Sequence, residues 1–405
     1  MAKLPTKNKA MNLQVADRLE GIGEYYFSQK LREIENLNKE GKQIISLGIG
    51  SPDLPPHASV IEVLQNEAAK STTHAYQSYK GSQALRNAIA TFYQNWYSVT
   101  LNPDTDILPM IGSKEGIMHI CMTYLNKGDG ALVPNPGYPT YRSAVTLAGG
   151  VCIDYDLKEE NNWEPDFDKL EASISSPPGG GRVGAKLMWV NYPHMPTGRQ
   201  ASKELFDKLI AFGKKHNILI CHDNPYSFIL NDQPKSILSA EGAMDVALEL
   251  NSLSKASNMA GWRVGFLSGA KQRIDEVLRF KSNMDSGMFL PVQLAAAKAL
   301  SLGKEWYDEL NATYAKRREL VYALLDQLGC NYDKGQAGLF MWAKVPEIYK
   351  DGYELSDHVL YNNNVFITPG GIFGTNGNKY IRVSLCAPEQ VIEKALARIQ
   401  TTVTA

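Results

Sequence analysis

The feature that most constrains the fold is the alternation of short apolar runs with amphipathic segments between residues 107 and 252. The runs are apolar throughout, which is typical of strands buried on both faces, and their alternation with helices predicts a mostly parallel sheet covered by helices. Strands are expected at 107–111, 130–133, 151–155, 186–191, 218–223 and 246–252, and helices at 58–70, 82–97, 138–147, 166–173 and 202–215.

From about residue 291 the pattern changes, and a smaller α+β domain is predicted. Its helices are expected at 292–302, 305–329, 353–361 and 387–402, and its strands at 338–345, 364–367 and 379–384. A helix at 14–41 and a short strand at 44–47 are expected to join it. The chain, at 405 residues, is therefore divided into a large domain at 51–290 and a small domain formed by 1–50 with 291–405.

Charge and cysteine usage exclude several classes of protein. The 42 basic and 43 acidic residues balance, so no nucleic-acid partner is expected. No run approaches 18 apolar residues, and residues 1–12 are basic and polar with no apolar run behind them, so neither a membrane anchor nor a signal peptide is expected. Five scattered cysteines indicate a reduced, cytoplasmic protein, and the absence of clustered His and Cys indicates no metal site.

The stretch from Asn251 to Gly265 carries the densest chemistry, with Lys255 at its centre. A lysine amine can form a Schiff base with an aldehyde. The hydroxyl of Ser252 and the guanidinium of Arg263 suit a phosphate monoester. Taken alone, Lys255 is better explained as a solvated surface lysine. The combination indicates a phosphorylated aldehyde cofactor, and pyridoxal phosphate is the one whose remaining contacts the chain supplies.

Two further turns offer contacts for such a cofactor. Ser113 and Lys114 stand where a predicted strand gives way to a helix, and the free N–H groups of a helix N-terminus attract anions. A plain helix cap explains the same residues. Tyr138 follows Pro136 and Gly137 on a stiff turn, where its ring could stack on a planar cofactor or simply fill the core.

Three polar residues sit in or after apolar strands. Asp223 ends a predicted strand, and a carboxylate there could keep a pyridine nitrogen protonated or cap the next helix. Tyr226, three residues on, could donate to the phenolic oxygen of the same ring. Arg382 lies within a predicted strand of the small domain, where it could bind a substrate carboxylate in a bidentate manner or form a structural ion pair.

In this order and spacing, these motifs resemble class I pyridoxal-phosphate aminotransferases over about residues 22–400. The resemblance implies the fold of aspartate aminotransferase, and the N-terminal section is most similar to the branch that includes LL-diaminopimelate aminotransferase. It implies that Lys255 forms the Schiff base and moves the substrate Cα proton, that Asp223 pairs with the pyridinium, and that Tyr226 donates to the ring oxygen.

The same resemblance implies the remaining contacts. The ring stacks on Tyr138, and the phosphate is held by Ser113, Lys114, Ser252 and Arg263. Arg382 binds the substrate α-carboxylate near the backbone of Gly50. Tyr76 matches the tyrosine that reaches the phosphate of the neighbouring subunit, which implies a homodimer with active sites at the interface.

One position departs from the family pattern. Where the family has an asparagine that donates to the cofactor ring oxygen, the run Asn191–Gly198 has Met195, which carries no donor. One hydrogen bond to the cofactor is therefore not expected, while the reaction class is unaffected.

The predicted activity is transfer of an amino group from an L-amino acid to a 2-oxo acid, with 2-oxoglutarate as the expected acceptor. A carbon–sulfur β-lyase on the same fold would use Lys255 identically, and no motif separates the two. A ligand-sensing regulator would need a DNA-binding domain, for which the segment ahead of Gly48 is short and has no basic recognition helix.

Overall fold

The computed structural model of the protein describes residues 13–20, 22–24, 26–175 and 184–403; residues 1–12, at the start of the predicted small domain, lie outside these ranges. The strands are β1 Ile45–Ser46, β2 Ile107–Met110, β3 Gly130–Asn135, β4 Val151–Asp156, β5 Ala185–Asn191, β6 Leu219–Asp223, β7 Ala247–Ser252, β8 Gly265–Gly269, β9 Asn331–Tyr332, β10 Phe340–Lys344, β11 Val365–Phe366, β12 Thr368–Pro369 and β13 Tyr380–Ser384. The helices are α1 Tyr26–Lys39, α2 Ala58–Ala68, α3 Gln83–Tyr97, α4 Ser113–Tyr124, α5 Pro139–Leu147, α6 Phe167–Ser175, α7 Lys203–His216, α8 Ala243–Val246, α9 Lys271–Lys281, α10 Leu290–Leu300, α11 Lys304–Gln327, α12 Gly352–Asn363 and α13 Glu389–Val403.

A seven-stranded sheet organises the described part of the chain, in the order β2-β8-β7-β6-β5-β3-β4. The pairs β3–β4, β3–β5, β5–β6 and β6–β7 are parallel, and only β8 runs antiparallel to its neighbours. The predicted mostly parallel sheet flanked by helices is thus confirmed.

Burial on both faces explains why these strands are apolar throughout. In β5, Met188 and Val190 pack into one core cluster, whereas Leu187 and Trp189 pack into the other. Successive side chains of a strand point to opposite faces, so each face of this sheet needs its own apolar set.

A smaller antiparallel sheet has the order β12-β13-β10-β9, and β1 pairs in parallel with β11 near the other end of the chain. Helix α1 packs Ile34 against Leu360 and Phe366, so this N-terminal helix lies with C-terminal elements. The boundaries at 50/51 and 290/291 stay a prediction. Among the described helices, none combines the length and the apolar character needed to cross a membrane.

The helix expected at 14–41 starts later than predicted. Regular α-helix begins at Tyr26, preceded by a single 3₁₀ turn at Asp17–Leu19. Leu13 and Val15 are exposed, so burial of their side chains does not offset the entropy cost of ordering a helix here. The prediction also omitted β8 and α9.

Candidate active site

The carboxyl ends of three adjacent parallel strands converge on one cavity of about 580 Å³. Asn191, Asp223 and Ser252 are the last residues of β5, β6 and β7, and all three line it. Asn191 and Asp223 are also paired in register. Open parallel sheets place ligands at this edge, because the strand ends leave polar groups facing a crevice.

The cavity gathers ten of the eleven residues predicted for the site. They come from the N-terminal segment, the large sheet and the small sheet: Gly50, Ser113, Lys114, Tyr138, Asp223, Tyr226, Ser252, Lys255, Arg263 and Arg382. The eleventh, Tyr76, does not line the cavity of its own chain, and its side chain is 92% exposed.

One end of the cavity is built to receive an anion. Helix α4 begins at Ser113, directly after Gly112, so its first N–H groups and its dipole face this end. Gly112 has φ +84°, and a Cβ there would lie 2.2 Å from Nη2 of Arg263. Only glycine therefore allows the guanidinium to lie against the helix start. Arg263 is held by donation from Nη1 to the carbonyl of Ala260 at 2.8 Å.

Lys255 projects into the cavity from the loop after β7. Its Nζ donates to the carbonyl oxygen of Gly50 at 2.6 Å. Burial lowers the pKa of Lys255, and the positive charges of Arg382 and Arg263 lower it further, although Cys386 and Asp223 oppose this. A lowered pKa enlarges the fraction of neutral amine, which is the form that attacks an aldehyde.

Asp223 lines the cavity and is 4% exposed. Its Oδ2 accepts a hydrogen bond from the Tyr141 hydroxyl at 2.8 Å, whereas Oδ1 has no partner among the described residues. Burial raises the pKa of Asp223 to about 6, and the Tyr141 hydrogen bond and nearby positive charge hold it from rising further. A buried carboxylate oxygen without a partner fits a cationic N–H donor brought by a ligand.

Arg382, on β13 of the small sheet, also lines the cavity. Its Nη2 donates to the carbonyl of Gly48 at 2.8 Å, and its guanidinium carbon lies 3.8 Å from the ring centre of Phe340 and 4.7 Å from that of Phe373. The Met195 sulfur lies 3.2 Å from Nη1. Aromatic faces hold the planar cation in place through cation–π attraction.

Sequence reasoning missed two polar residues of the site. Tyr141, on α5, is the hydrogen-bond partner of Asp223 and stacks on Trp189 with ring centres 5.1 Å apart. Asn191 donates to the carbonyl of Asp223 at 2.6 Å and accepts from the backbone N–H of Met195 at 2.7 Å. Asn191 ends a predicted strand as Asp223 does, so the strand-end pattern could have found it, whereas no local pattern marks Tyr141.

A separate cluster could suggest a metal. Glu115, His119 and Asp285 place their ligand atoms within 4.8 Å of one another. Lys281 already supplies a cation there, with its Nζ 2.6 Å from an oxygen of Asp285. The Lys281 ammonium therefore already supplies positive charge to this cluster, and a metal ion is not required to balance it.

Comparison with known proteins defines the class to which this fold and site belong. The model of the family described as aminotransferase class I and II matches residues 42–399, so the chain belongs to that family. Members of the family depend on pyridoxal phosphate, and the chain is a pyridoxal-phosphate-dependent aminotransferase.

Among individual proteins, an LL-diaminopimelate aminotransferase of Halothermothrix orenii is 40% identical, over 96% of this chain and 99% of that protein. The substrate-bound structure of BacF from Bacillus subtilis has a TM-score of 0.90 at 36% identity, and the match covers 97% of this chain and 98% of that one. An aspartate aminotransferase of Thermotoga maritima has a TM-score of 0.87 at 25% identity, over 96% and 100% of the two chains. The expected aspartate-aminotransferase-like fold is confirmed.

The described residues fit this cofactor at three separate points. The Gly112–Ser113 turn with Arg263 suits the phosphate, and the unpartnered Oδ1 of Asp223 suits the ring nitrogen. The Lys255 amine, whose pKa is lowered, suits the aldehyde.

Proposed function

We propose that this enzyme transfers the amino group of an L-amino acid to a 2-oxo acid, with 2-oxoglutarate as acceptor. The observation that carries the proposal is that the Lys255 amine shares one cavity with the buried carboxylate of Asp223, whose Oδ1 has no hydrogen-bond partner among the described residues. When bound, pyridoxal phosphate supplies an aldehyde carbon and an electron-withdrawing ring, which together acidify the Cα proton of an attached amino acid.

The residues would hold this group at its edges. The hydroxyls of Ser113 and Ser252, the Lys114 ammonium and the Arg263 guanidinium would bind the phosphate, since they line the same end of the cavity as the start of α4. Tyr138 would pack against the ring face, and the Tyr226 hydroxyl would donate to the ring oxygen.

Two residues carry the proton chemistry. Lys255 would hold the aldehyde carbon, and after release it would move the proton of the substrate Cα as a general base and acid. Ionised Asp223 would keep the ring nitrogen protonated, which stabilises the negative charge that develops when that proton leaves. Both side chains line the same cavity.

Arg382 would orient the substrate. Its guanidinium fork suits the α-carboxylate of an amino acid or a 2-oxo acid, and the aromatic rings around it keep the fork fixed. The backbone of Gly50 lies beside Lys255 and would border the same carboxylate.

We also propose that two copies of the chain form a homodimer, in which Tyr76 reaches the phosphate of the other subunit. The support is the 92% exposure of this tyrosine, which is high for a large amphipathic side chain. A cytoplasmic location is proposed because all five cysteines are free thiols in the structure.

Product analysis tests the transfer reaction. Incubation of the enzyme with an amino acid donor and 2-oxoglutarate should form glutamate and the 2-oxo acid of the donor. Pyruvate and ammonia released from cystathionine, without glutamate formation, would instead establish the carbon–sulfur β-lyase.

A further inference from the structure

The cavity wall beside Arg382 is apolar. Five side chains, called here the apolar wall, line the cavity on this side: Phe27, Leu31, Ile49, Met195 and Phe340. Three of them lie next to the guanidinium of Arg382. Its carbon is 3.8 Å from the ring centre of Phe340 and 5.6 Å from that of Phe27, and its Nη1 is 3.2 Å from the Met195 sulfur.

The side chain of an amino acid bound at Arg382 would lie close to this wall. The α-carboxylate and the side chain leave the same carbon atom, so a substrate anchored on Arg382 places its side chain within a few ångströms of that anchor. Phe340 and Met195 are buried, and Leu31 is 45% exposed at the entrance. The side chain would therefore meet mostly apolar surface, although Ser28 and Ser51 also line the cavity.

Every charged side chain that lines the cavity in the described ranges already has a task in the proposed function. Lys114 and Arg263 serve the phosphate, Lys255 the aldehyde, Asp223 the ring nitrogen and Arg382 the α-carboxylate. Arg32, next to Leu31 on α1, donates to Glu24 at 2.6 Å and does not line the cavity. A second charge on the substrate would lose water without gaining a counter-ion from this wall of the subunit.

We propose that the amino donor of this enzyme is an L-amino acid with an uncharged, apolar side chain, aromatic or aliphatic. The inference rests on the proposed transfer reaction and names its substrate class. It separates this chain from the named activity of its LL-diaminopimelate aminotransferase relatives, because LL-diaminopimelate carries a second amino group and a second carboxylate.

The donor preference is measured in the first half-reaction of the holoenzyme, in which a donor changes the absorption spectrum of the bound cofactor without any acceptor. L-Phenylalanine, L-leucine and L-methionine should react with a second-order rate constant about 100-fold higher than L-glutamate, L-aspartate or LL-diaminopimelate.

A binding measurement separates recognition from chemistry. Hydrocinnamate and glutarate are unreactive carboxylates that differ at the far end, and calorimetry on the holoenzyme should give tighter binding of hydrocinnamate by about 100-fold. Leu31→Arg should narrow this ratio about tenfold, because it brings a cation to the entrance of the wall, whereas Leu31→Met should preserve it. Both variants are expected to fold, since Leu31 is exposed.

The outcomes distinguish this inference from the proposed function. If L-glutamate or LL-diaminopimelate reacts fastest, the apolar-donor inference is overturned while amino transfer stands. If no amino acid changes the cofactor spectrum, the proposed function fails and the inference fails with it.

Discussion

Two buried carboxylates on neighbouring strands have opposite surroundings. Glu249 on β7 is fully buried and accepts hydrogen bonds from the Tyr93 hydroxyl at 2.7 Å, the Ser236 hydroxyl at 2.9 Å and the Ile237 N–H at 2.9 Å. His222 lies 2.8 Å from its second oxygen. Asp223 on β6 has one hydrogen-bond partner on Oδ2 and none on Oδ1 within the described residues.

The difference teaches how the fold separates a structural carboxylate from a reactive one. Glu249 lies inside its strand, where the core supplies enough donors to stabilise its charge, whereas Asp223 is the last residue of its strand and faces the cavity. A buried carboxylate whose two oxygens both accept hydrogen bonds stabilises the packing around it. A carboxylate with one oxygen that lacks a donor can accept a hydrogen bond from a ligand. Substitution of Asp223 should therefore mainly lower kcat, whereas substitution of Glu249 should mainly lower the free energy of unfolding.

The largest expected effect is on catalysis at Asp223. Asp223→Ala should lower kcat by about 10³-fold, because the carboxylate stabilises charge that develops only in the transition state. Cofactor affinity should fall much less, since Arg263 and the start of α4 still bind the phosphate. Steady-state kinetics with saturating cofactor measures this, and wild-type turnover in the cofactor-loaded variant would refute the role.

The matched change at Glu249 should affect stability instead. Glu249→Gln should lower the free energy of unfolding by about 3 kcal/mol, because it removes a buried carboxylate that accepts from Tyr93 and Ser236 and places an amide donor among donors. Denaturant unfolding measures the loss, and kcat of the folded variant should stay within about tenfold of wild type. A large loss of kcat at unchanged stability would remove the distinction between the two carboxylates.

Without the cofactor, the ionised Asp223 should lower the stability of the protein. The pKa of Asp223 is raised from the ordinary 3.8 to about 6, so the folded state binds a proton more tightly than the unfolded state and loses stability as pH rises from about 4 to 6. Asp223→Asn should abolish that loss and gain about 2–3 kcal/mol at pH 8. Apoenzyme unfolding at pH 5 and pH 8 tests it, and destabilisation at pH 8 would contradict the account.

The smallest effect concerns Tyr141, the hydrogen-bond partner of the Asp223 carboxylate. This hydrogen bond favours the ionised form, so Tyr141→Phe should raise the pKa of Asp223 and shift the pH-dependent loss of apoenzyme stability upward by about one pH unit. Tyr93→Phe is the matched control beside Glu249 and should destabilise the protein without shifting the loss. Equal shifts in both variants would mean that the effect is not local.

The sequence could predict those parts of the molecule that local patterns carry. The apolar runs placed six strands of the large sheet. The structure brings Lys255 and Arg263 into one cavity, while their assigned roles stay predictions. Glu249 and Asp223 look alike in sequence, each an acid in an apolar run, because their difference depends on donors from distant segments. Tyr93 is 156 positions from Glu249, and Tyr141 is 82 positions from Asp223.

The central claim is that Lys255 is the residue to which the cofactor is covalently attached. Borohydride reduction of the holoenzyme, followed by proteolysis and peptide mass spectrometry, tests this directly. The account predicts that the reduced cofactor is recovered on the peptide that contains Lys255, and that Lys255→Ala folds but retains no reduced label. Recovery of the label on any other lysine of the wild-type enzyme would contradict the assignment of the site.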